Sequence, residues 1–170
     1  NKLIPDQIYG YGNATMEGEV GNLLTAKNQT LSTAESCTGG NVSKMLTSIS
    51  GSSSFFNGSI ISYSNQSKSE LLDVNEQNIE KYGAVSQQVV EQMAANIRLK
   101  FNSDFGISTS GIAGPSGGTT EKPVGTVWIA VANKDKVISK KLNLGYNRER
   151  NIYVSSLSVL NLLRLELLKN

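Results

Sequence analysis

The sequence predicts an α/β protein, a three-layer α/β/α sandwich built on a mostly parallel sheet with one antiparallel member. Three observations carry that expectation. Through residue 110, short apolar and β-branched runs alternate with segments whose apolar residues recur at helical spacing. From residue 124 two strand-like runs follow one another with only Asn133-Lys134-Asp135-Lys136 between them, which reads as a late hairpin. At Thr33-Ala34-Glu35-Ser36-Cys37-Thr38-Gly39-Gly40 a strand end passes directly into a helix start, the kind of junction where open α/β sheets bind ligands.

Each element has its own signal. Residues 1–13 contain Pro5 and Gly10-Tyr11-Gly12 without periodicity and read as a linker or arm, leaving a domain over 14–170. The chain does not begin with Met, so a fragment or processed form is expected. Thr15 is a candidate N-cap for a helix over 15–28 carrying Met16, Val20, Leu23 and Leu24. Residues 30–35 form the first strand. Val42, Met45, Leu46 and Ile49 then repeat at i, i+3, i+4, i+7, until Gly51-Ser52-Ser53-Ser54 breaks the helix. A second strand spans 59–63, and Ser64 to Lys68 opens a short helix continued by Leu71, Leu72 and Val74. Another short helix covers 75–82. Ser86 caps the strongest helix, which buries Val89, Val90, Met93, Ala94 and Ile97. The third strand, 104–110, consists of small residues that permit close approach by a neighbour. A loop rich in glycine, 111–119, precedes a buried strand over 124–132. Lys140 and Lys141 mark 137–144 as an edge strand, and a last helix runs over 147–168.

Composition narrows the chemistry. Sixteen Lys and Arg against fourteen Asp and Glu leave a net charge of +2, with no basic stripe interleaved with aromatics, so no nucleic-acid partner is expected. No run approaches the roughly 18–20 apolar residues of a membrane span, and there is no signal-peptide pattern, so no membrane partner and a cytoplasmic location are expected. Cys37 is the single cysteine, which rules out an internal disulfide and a cysteine metal cluster. The chain has no histidine. A Ser-His-Asp triad and a His-ligated zinc are therefore impossible within it, and any general base must be Lys, Tyr, a carboxylate or a water.

Within those bounds, Ser36 is either a nucleophile or, with Thr38, a helix cap. Cys37 competes as nucleophile, but without a histidine it reads better as a small buried packing residue. Tyr63 and Lys68 can both point at the end of the sheet that carries Ser36. For Lys68 to accept a proton near neutrality its pKa must fall by roughly three units, about 4 kcal/mol, which burial can supply. A neighbouring Tyr hydroxyl would make the pair a coupled base; the alternative is an exposed Lys on a helix face. The 111–119 loop, with Thr119, Thr120 and Lys122 as added donors, is either an anion cradle or a tight crossover. Arg148 and Arg150 sit where a helix dipole disfavours cations, and either a ligand anion or salt bridges to Glu149 or Glu35 would account for them.

Taken in order, the 33–40 junction, Gly51-Ser52-Ser53, Tyr63-Ser64-Asn65-Gln66-Ser67-Lys68, Tyr82-Gly83-Ala84-Val85-Ser86, Ser110-Gly111-Ile112-Ala113-Gly114-Pro115 with Gly117-Gly118-Thr119, and Lys122-Pro123-Val124-Gly125-Thr126-Val127 resemble the carboxy-terminal domain of the CinA (competence/damage-inducible protein) family. The lead-in Ile4-Pro5-Asp6-Gln7-Ile8-Tyr9-Gly10 resembles the segment that joins this domain to an amino-terminal molybdopterin-binding-like domain. The resemblance implies a five-stranded mixed sheet with the fourth strand antiparallel, and a dimer. It also implies hydrolysis of the carboxamide of nicotinamide mononucleotide to nicotinate mononucleotide and ammonia, in pyridine-nucleotide salvage, with no metal or other cofactor. Carried over by motif, Ser36 is the nucleophile and Tyr63 with Lys68 the proton-transfer pair. Glu35, Thr38, Gly39, Gly40, Ser53, Gly111, Gly114, Gly117, Gly118, Thr119 and Arg148 are the expected substrate-binding residues. Ser116 stands where the family usually has glycine, and Ile152 where it commonly has a second arginine, for which Arg150 is a substitute. A non-catalytic nucleotide-binding or regulatory module of a longer protein is the alternative function.

Overall fold

The computed structural model describes residues 12–169, so the expected arm falls, through residue 11, outside the described residues. Helix α1 (Met16–Ala26) begins at Thr15, whose hydroxyl accepts from the Gly18 amide. Strand β1 (Leu31–Glu35) leads into α2 (Asn41–Thr47), a one-turn 3-10 helix (Ser52–Ser54) and β2 (Phe56–Ile61). Helices α3 (Asn65–Leu72), α4 (Glu76–Tyr82) and α5 (Gln87–Lys100) return the chain to β3 (Phe105–Gly111). Strands β4 (Thr126–Ala132) and β5 (Val137–Asn143) and helix α6 (Arg148–Leu167) follow.

The strands form one sheet in the order β2-β1-β3-β4-β5. β1 runs parallel to β2 and β3, while β4 is antiparallel to both β3 and β5. This is the five-stranded mixed sheet with an antiparallel fourth strand that the sequence and its resemblance predict. The second strand differs from expectation by starting at Phe56 and ending at Ile61. Gly58, at φ +151°, accompanies a register irregularity opposite Leu31 and Ser32 that brings the earlier residues into the ladder. The chain leaves the sheet after the Ser62 amide donates to the Glu35 carbonyl (2.8 Å), and Ser64 then caps α3. Tyr63 consequently lies beyond the strand.

Strand alternation sets the two faces of the sheet. On one face, Leu31, Ile107, Val127, Ile129 and Val131 pack with Val20 and Leu24 of α1, Leu46 of α2 and Leu160 and Leu163 of α6, all essentially inaccessible to solvent. On the other, Ala34, Ala130 and Ala132 meet α5 through Val89, Val90, Met93, Ala94 and Ile97. The small side chains of β3 are what let α5 approach: a Cβ at Gly106 would lie 2.1 Å from the Ala94 carbonyl oxygen. One strand residue further along the same face, the Ser108 hydroxyl donates to the Val90 carbonyl (2.6 Å). Full burial of each large aliphatic side chain contributes about 1.5–3 kcal/mol, and both faces hold several.

Candidate active site

The C-terminal ends of β1, β2 and β3 lie together, and alternation along β1 decides what each residue there faces. Leu31, Thr33 and Glu35 point toward α2, as the contact of Thr33 Oγ1 with Ser43 Oγ (3.0 Å) shows. Ser32 points toward α5, donating to the Ile97 carbonyl (3.1 Å). Glu35 and Ser36, adjacent in sequence, therefore serve opposite sides.

Glu35 is 1% exposed, and its carboxylate accepts from the Thr38 hydroxyl (2.6 Å), the amides of Gly40 (3.0 Å), Val42 (3.1 Å) and Ser43 (2.8 Å), and the Ser43 hydroxyl (2.6 Å). The N-cap of α2 is Gly40, which has no side chain to satisfy the first helical amides. The preceding strand supplies a carboxylate instead, and its charge suits the positive end of the helix. Glu35, Thr38, Gly39 and Gly40, expected among the substrate-binding residues, all have contacts within the protein. The Glu35 oxygens and the Gly40 amide are committed within the protein, the Thr38 hydroxyl is held between Glu35 and Thr109 (2.7 Å), and the Gly39 amide donates to the Ser36 carbonyl (3.0 Å).

Ser36 faces α3. Lys68, one turn into that helix and 2% exposed, donates from Nζ to Ser36 Oγ (3.0 Å) and to the Ser62 carbonyl (2.8 Å). Leu72, one turn later on the same side of α3, is fully buried and anchors the helix in the cluster formed by Ala34 of β1 and Val89, Met93 and Ile97 of α5. Burial pushes the Lys68 ammonium down to about 8. The same burial pushes the Cys37 thiol up to about 12, despite its position next to the serine. That shift disfavours the thiolate, the form in which a cysteine acts as a nucleophile.

Tyr63 does not join this pair. Its ring is largely solvent-exposed, and its hydroxyl accepts from Arg148 Nη2 (2.8 Å). Arg148, the first residue of α6, also donates from Nη1 to the Gly114 carbonyl (2.8 Å). The expected Tyr63–Lys68 base thus separates into Lys68 on Ser36 and Tyr63 on Arg148. Of the two readings of these arginines, the ion pairs to Glu149 or Glu35 are not formed: Arg148 holds neutral oxygens, and Arg150 lies over the Tyr146 ring (4.2 Å).

These groups surround a cleft of about 240 Å³ lined by Ser36, Cys37, Tyr63, residues 111–114, Ser116, Gly117 and Arg148. Gly111, Gly114 and Gly117 therefore stand at the cleft as expected. Gly118 and Thr119 do not: Thr119 closes a tight turn with Lys122 through its amide (2.9 Å) and hydroxyl (3.0 Å), and a Cβ at Gly118 would meet the Val124 amide at 2.7 Å. Lys122 is drawn away to the Tyr82 carbonyl (2.6 Å). Ser53 sits exposed before the start of β2, at the opposite end of the sheet from Ser36. Ile112, Ala113 and Ser116, within the loop expected as an anion cradle, line the cleft as well. Among the described residues no group of three or more His, Cys, Asp or Glu side chains is placed to hold a metal ion. No helix among them is long and apolar enough to cross a membrane.

The chain is similar to CinA-like proteins of Cytophaga hutchinsonii (49% identity over 96% of this chain and 39% of that one) and Prochlorococcus marinus (49% identity over 99% and 41%). It thus spans about two-fifths of the length of these curated relatives. Among solved structures, a competence-damaged protein (CinA) superfamily protein from Klebsiella pneumoniae superposes with a TM-score of 0.88 at 28% identity, covering 91% of this chain and 97% of the other. A competence/damage inducible protein from Agrobacterium tumefaciens superposes with a TM-score of 0.84 at 30% identity, covering 93% and 99%. The family model described as the CinA C-terminal domain matches residues 13–167, and the chain belongs to that family.

Proposed function

We propose that this domain hydrolyses the carboxamide of nicotinamide mononucleotide to nicotinate mononucleotide and ammonia, with Ser36 as nucleophile and Lys68 as its base. The observation that carries the proposal is the buried Lys68 Nζ, 3.0 Å from Ser36 Oγ and brought down to about 8, in a chain without histidine. At pH 7 about a tenth of such a side chain is neutral. Its lone pair then faces the serine O–H while an N–H remains on the Ser62 carbonyl.

In the proposed cycle Lys68 takes the Ser36 proton as Oγ bonds to the carboxamide carbon. The C–N bond then breaks and Lys68 returns the proton to the leaving nitrogen, releasing ammonia. A water, deprotonated by Lys68, cleaves the resulting ester and frees the carboxylate product and Ser36. The Thr38 amide, which has no partner among the described residues, and the Cys37 amide beside it are the available donors for the tetrahedral oxyanion. The substrate phosphate is assigned to Arg148: its hydrogen-bond partners, the Gly114 carbonyl and the Tyr63 hydroxyl, are neutral, which leaves its charge uncompensated.

The test is ammonia release from nicotinamide mononucleotide by purified protein without added metal. Turnover should fall by about 10³-fold or more in Ser36→Ala and in Lys68→Ala, with cooperative unfolding retained, and kcat/KM should rise with pH to a plateau above about 8. Activity unchanged in both variants overturns the site. Nucleotide-dependent thermal stabilisation without turnover in the wild type favours the non-catalytic binding module instead.

A further inference from the structure

We propose that Asn151 is a positioning residue for substrate binding, acting through the cleft wall at Ala113-Gly114 and through Arg148. This rests on the reading of the cleft as a nucleotide-amidase site. Asn151 is 0% exposed, on the first turn of α6. Its side-chain amide donates to the Ala113 carbonyl (3.0 Å) and to the Tyr146 carbonyl (2.8 Å), and its Oδ1 accepts from the Tyr146 amide (3.3 Å). One buried amide thus ties together the helix, the segment that leads into it and the loop that forms the cleft wall.

Helix capping does not explain this residue. Asn147 already caps α6 by accepting from the Arg150 amide (3.0 Å), and the Asn151 backbone amide bonds the Asn147 carbonyl in the ordinary helical way (2.8 Å). What Asn151 adds is a grip on the loop. Residues three apart on a helix share a side, and here Arg148 and Asn151 hold successive carbonyls of one loop, Gly114 and Ala113. An apolar side chain at 151 would leave the Ala113 and Tyr146 carbonyls and the Tyr146 amide to find other partners. The Gly114 carbonyl that orients the guanidinium would then no longer be fixed, and displacements of about 1 Å in a binding group are enough to weaken recognition.

The experiment is steady-state kinetics of Asn151→Ala and of the near-isosteric Asn151→Asp, which keeps the acceptor but cannot donate to two carbonyls. Ser32→Ala serves as a destabilised control, because Ser32 is buried with Ser103 on the α5 side of the sheet, away from the cleft. KM for nicotinamide mononucleotide should rise about tenfold with kcat within about threefold, and the preference for the nucleotide over its dephosphorylated riboside should shrink by a similar factor. In an Arg148→Ala background, adding Asn151→Ala should cause little further loss, since the group that Asn151 positions is already absent. Lower thermal stability with unchanged KM and preference, as expected for Ser32→Ala, overturns the proposal. So does an effect that multiplies with that of Arg148→Ala. If the wild type proves inactive, a crystal structure of Asn151→Ala decides the matter without turnover: an unmoved Arg148–Gly114 contact refutes the positioning role, while its loss supports that role independently of the substrate assignment.

Discussion

Replacing Lys68 by Met should stabilise the protein at neutral pH while abolishing turnover. In the folded chain the ammonium is buried and its pKa lies at about 8; in the unfolded chain it returns to about 10.4. Unfolding therefore takes up a proton wherever the pH lies between the two values. The penalty on the folded state is complete below pH 8 and is relieved as the pH rises toward 10.4, so stability from this group increases with pH over that window. The gap of about 2.4 pH units corresponds to about 3 kcal/mol. Met fills a similar volume without charge, but leaves the Ser62 carbonyl and the Ser36 hydroxyl without the bonds Lys68 donates, offsetting about 2 kcal/mol. The net gain near pH 6.5 is then about 1 kcal/mol, or about 2–4 °C in Tm for a chain of this size. Urea unfolding of both proteins from pH 6.5 to 10.5 tests the more robust quantity, which is the change in their difference. Met should lose about 3 kcal/mol of relative stability across that range. A difference that does not vary with pH would refute the claim that the fold holds this ammonium under desolvation strain.

Two further substitutions separate the groups around Ser36. Cys37→Ala should keep ammonia release within about threefold of wild type and cost about 1 kcal/mol in urea unfolding, as truncation of a buried packing group does; loss of turnover would return the thiol to the mechanism. Glu35→Gln should destabilise by about 2–4 kcal/mol, because an amide cannot accept from all five donors that meet the carboxylate and the α2 terminus loses its compensating charge. An unchanged urea midpoint would show that the α2 start is held by other contacts.

Local chemistry made the helix starts legible. Thr15, Ser64 and Ser86 are hydroxyls ahead of helical patterns, and all three accept from amides in the first turn. The small residues of β3 likewise announced the close approach of α5, which Gly106 now accounts for. The Ser36 neighbourhood was legible only in part. Alternation along β1 was sufficient to separate Glu35 from Ser36, since successive strand residues face opposite sides, but which helix each would meet depends on the packing of α2 and α3. For Tyr63 only the strand boundary differs: the strand ends at Ile61 rather than at residue 63, and the Tyr63 hydroxyl meets Arg148 at the cleft that Ser36 also lines. The contacts of Arg148 and Asn151 with Gly114 and Ala113 span 34 and 38 residues and end on backbone carbonyls, for which no side-chain type at 113 or 114 gives a cue.

Burial alone divides the labour around the proposed nucleophile. Low polarity disfavours whichever form of a group is charged. For an amine that means the neutral, proton-accepting form; for a thiol it means the neutral, inert form. The environment that brings Lys68 down to about 8 therefore makes it usable as a base, while taking Cys37 up to about 12 makes the more nucleophilic atom unreactive. A buried histidine would gain less, since its ordinary pKa of about 6.5 already leaves it mostly neutral at pH 7. Burial makes a lysine a weaker base but leaves part of it neutral near pH 7, and that is the form a proton acceptor at this serine requires in a chain without histidine. Such a lysine needs a helix anchored well enough to keep its amine buried, and α3 provides that by placing Leu72, one turn beyond Lys68, among Val89, Met93 and Ile97 of α5.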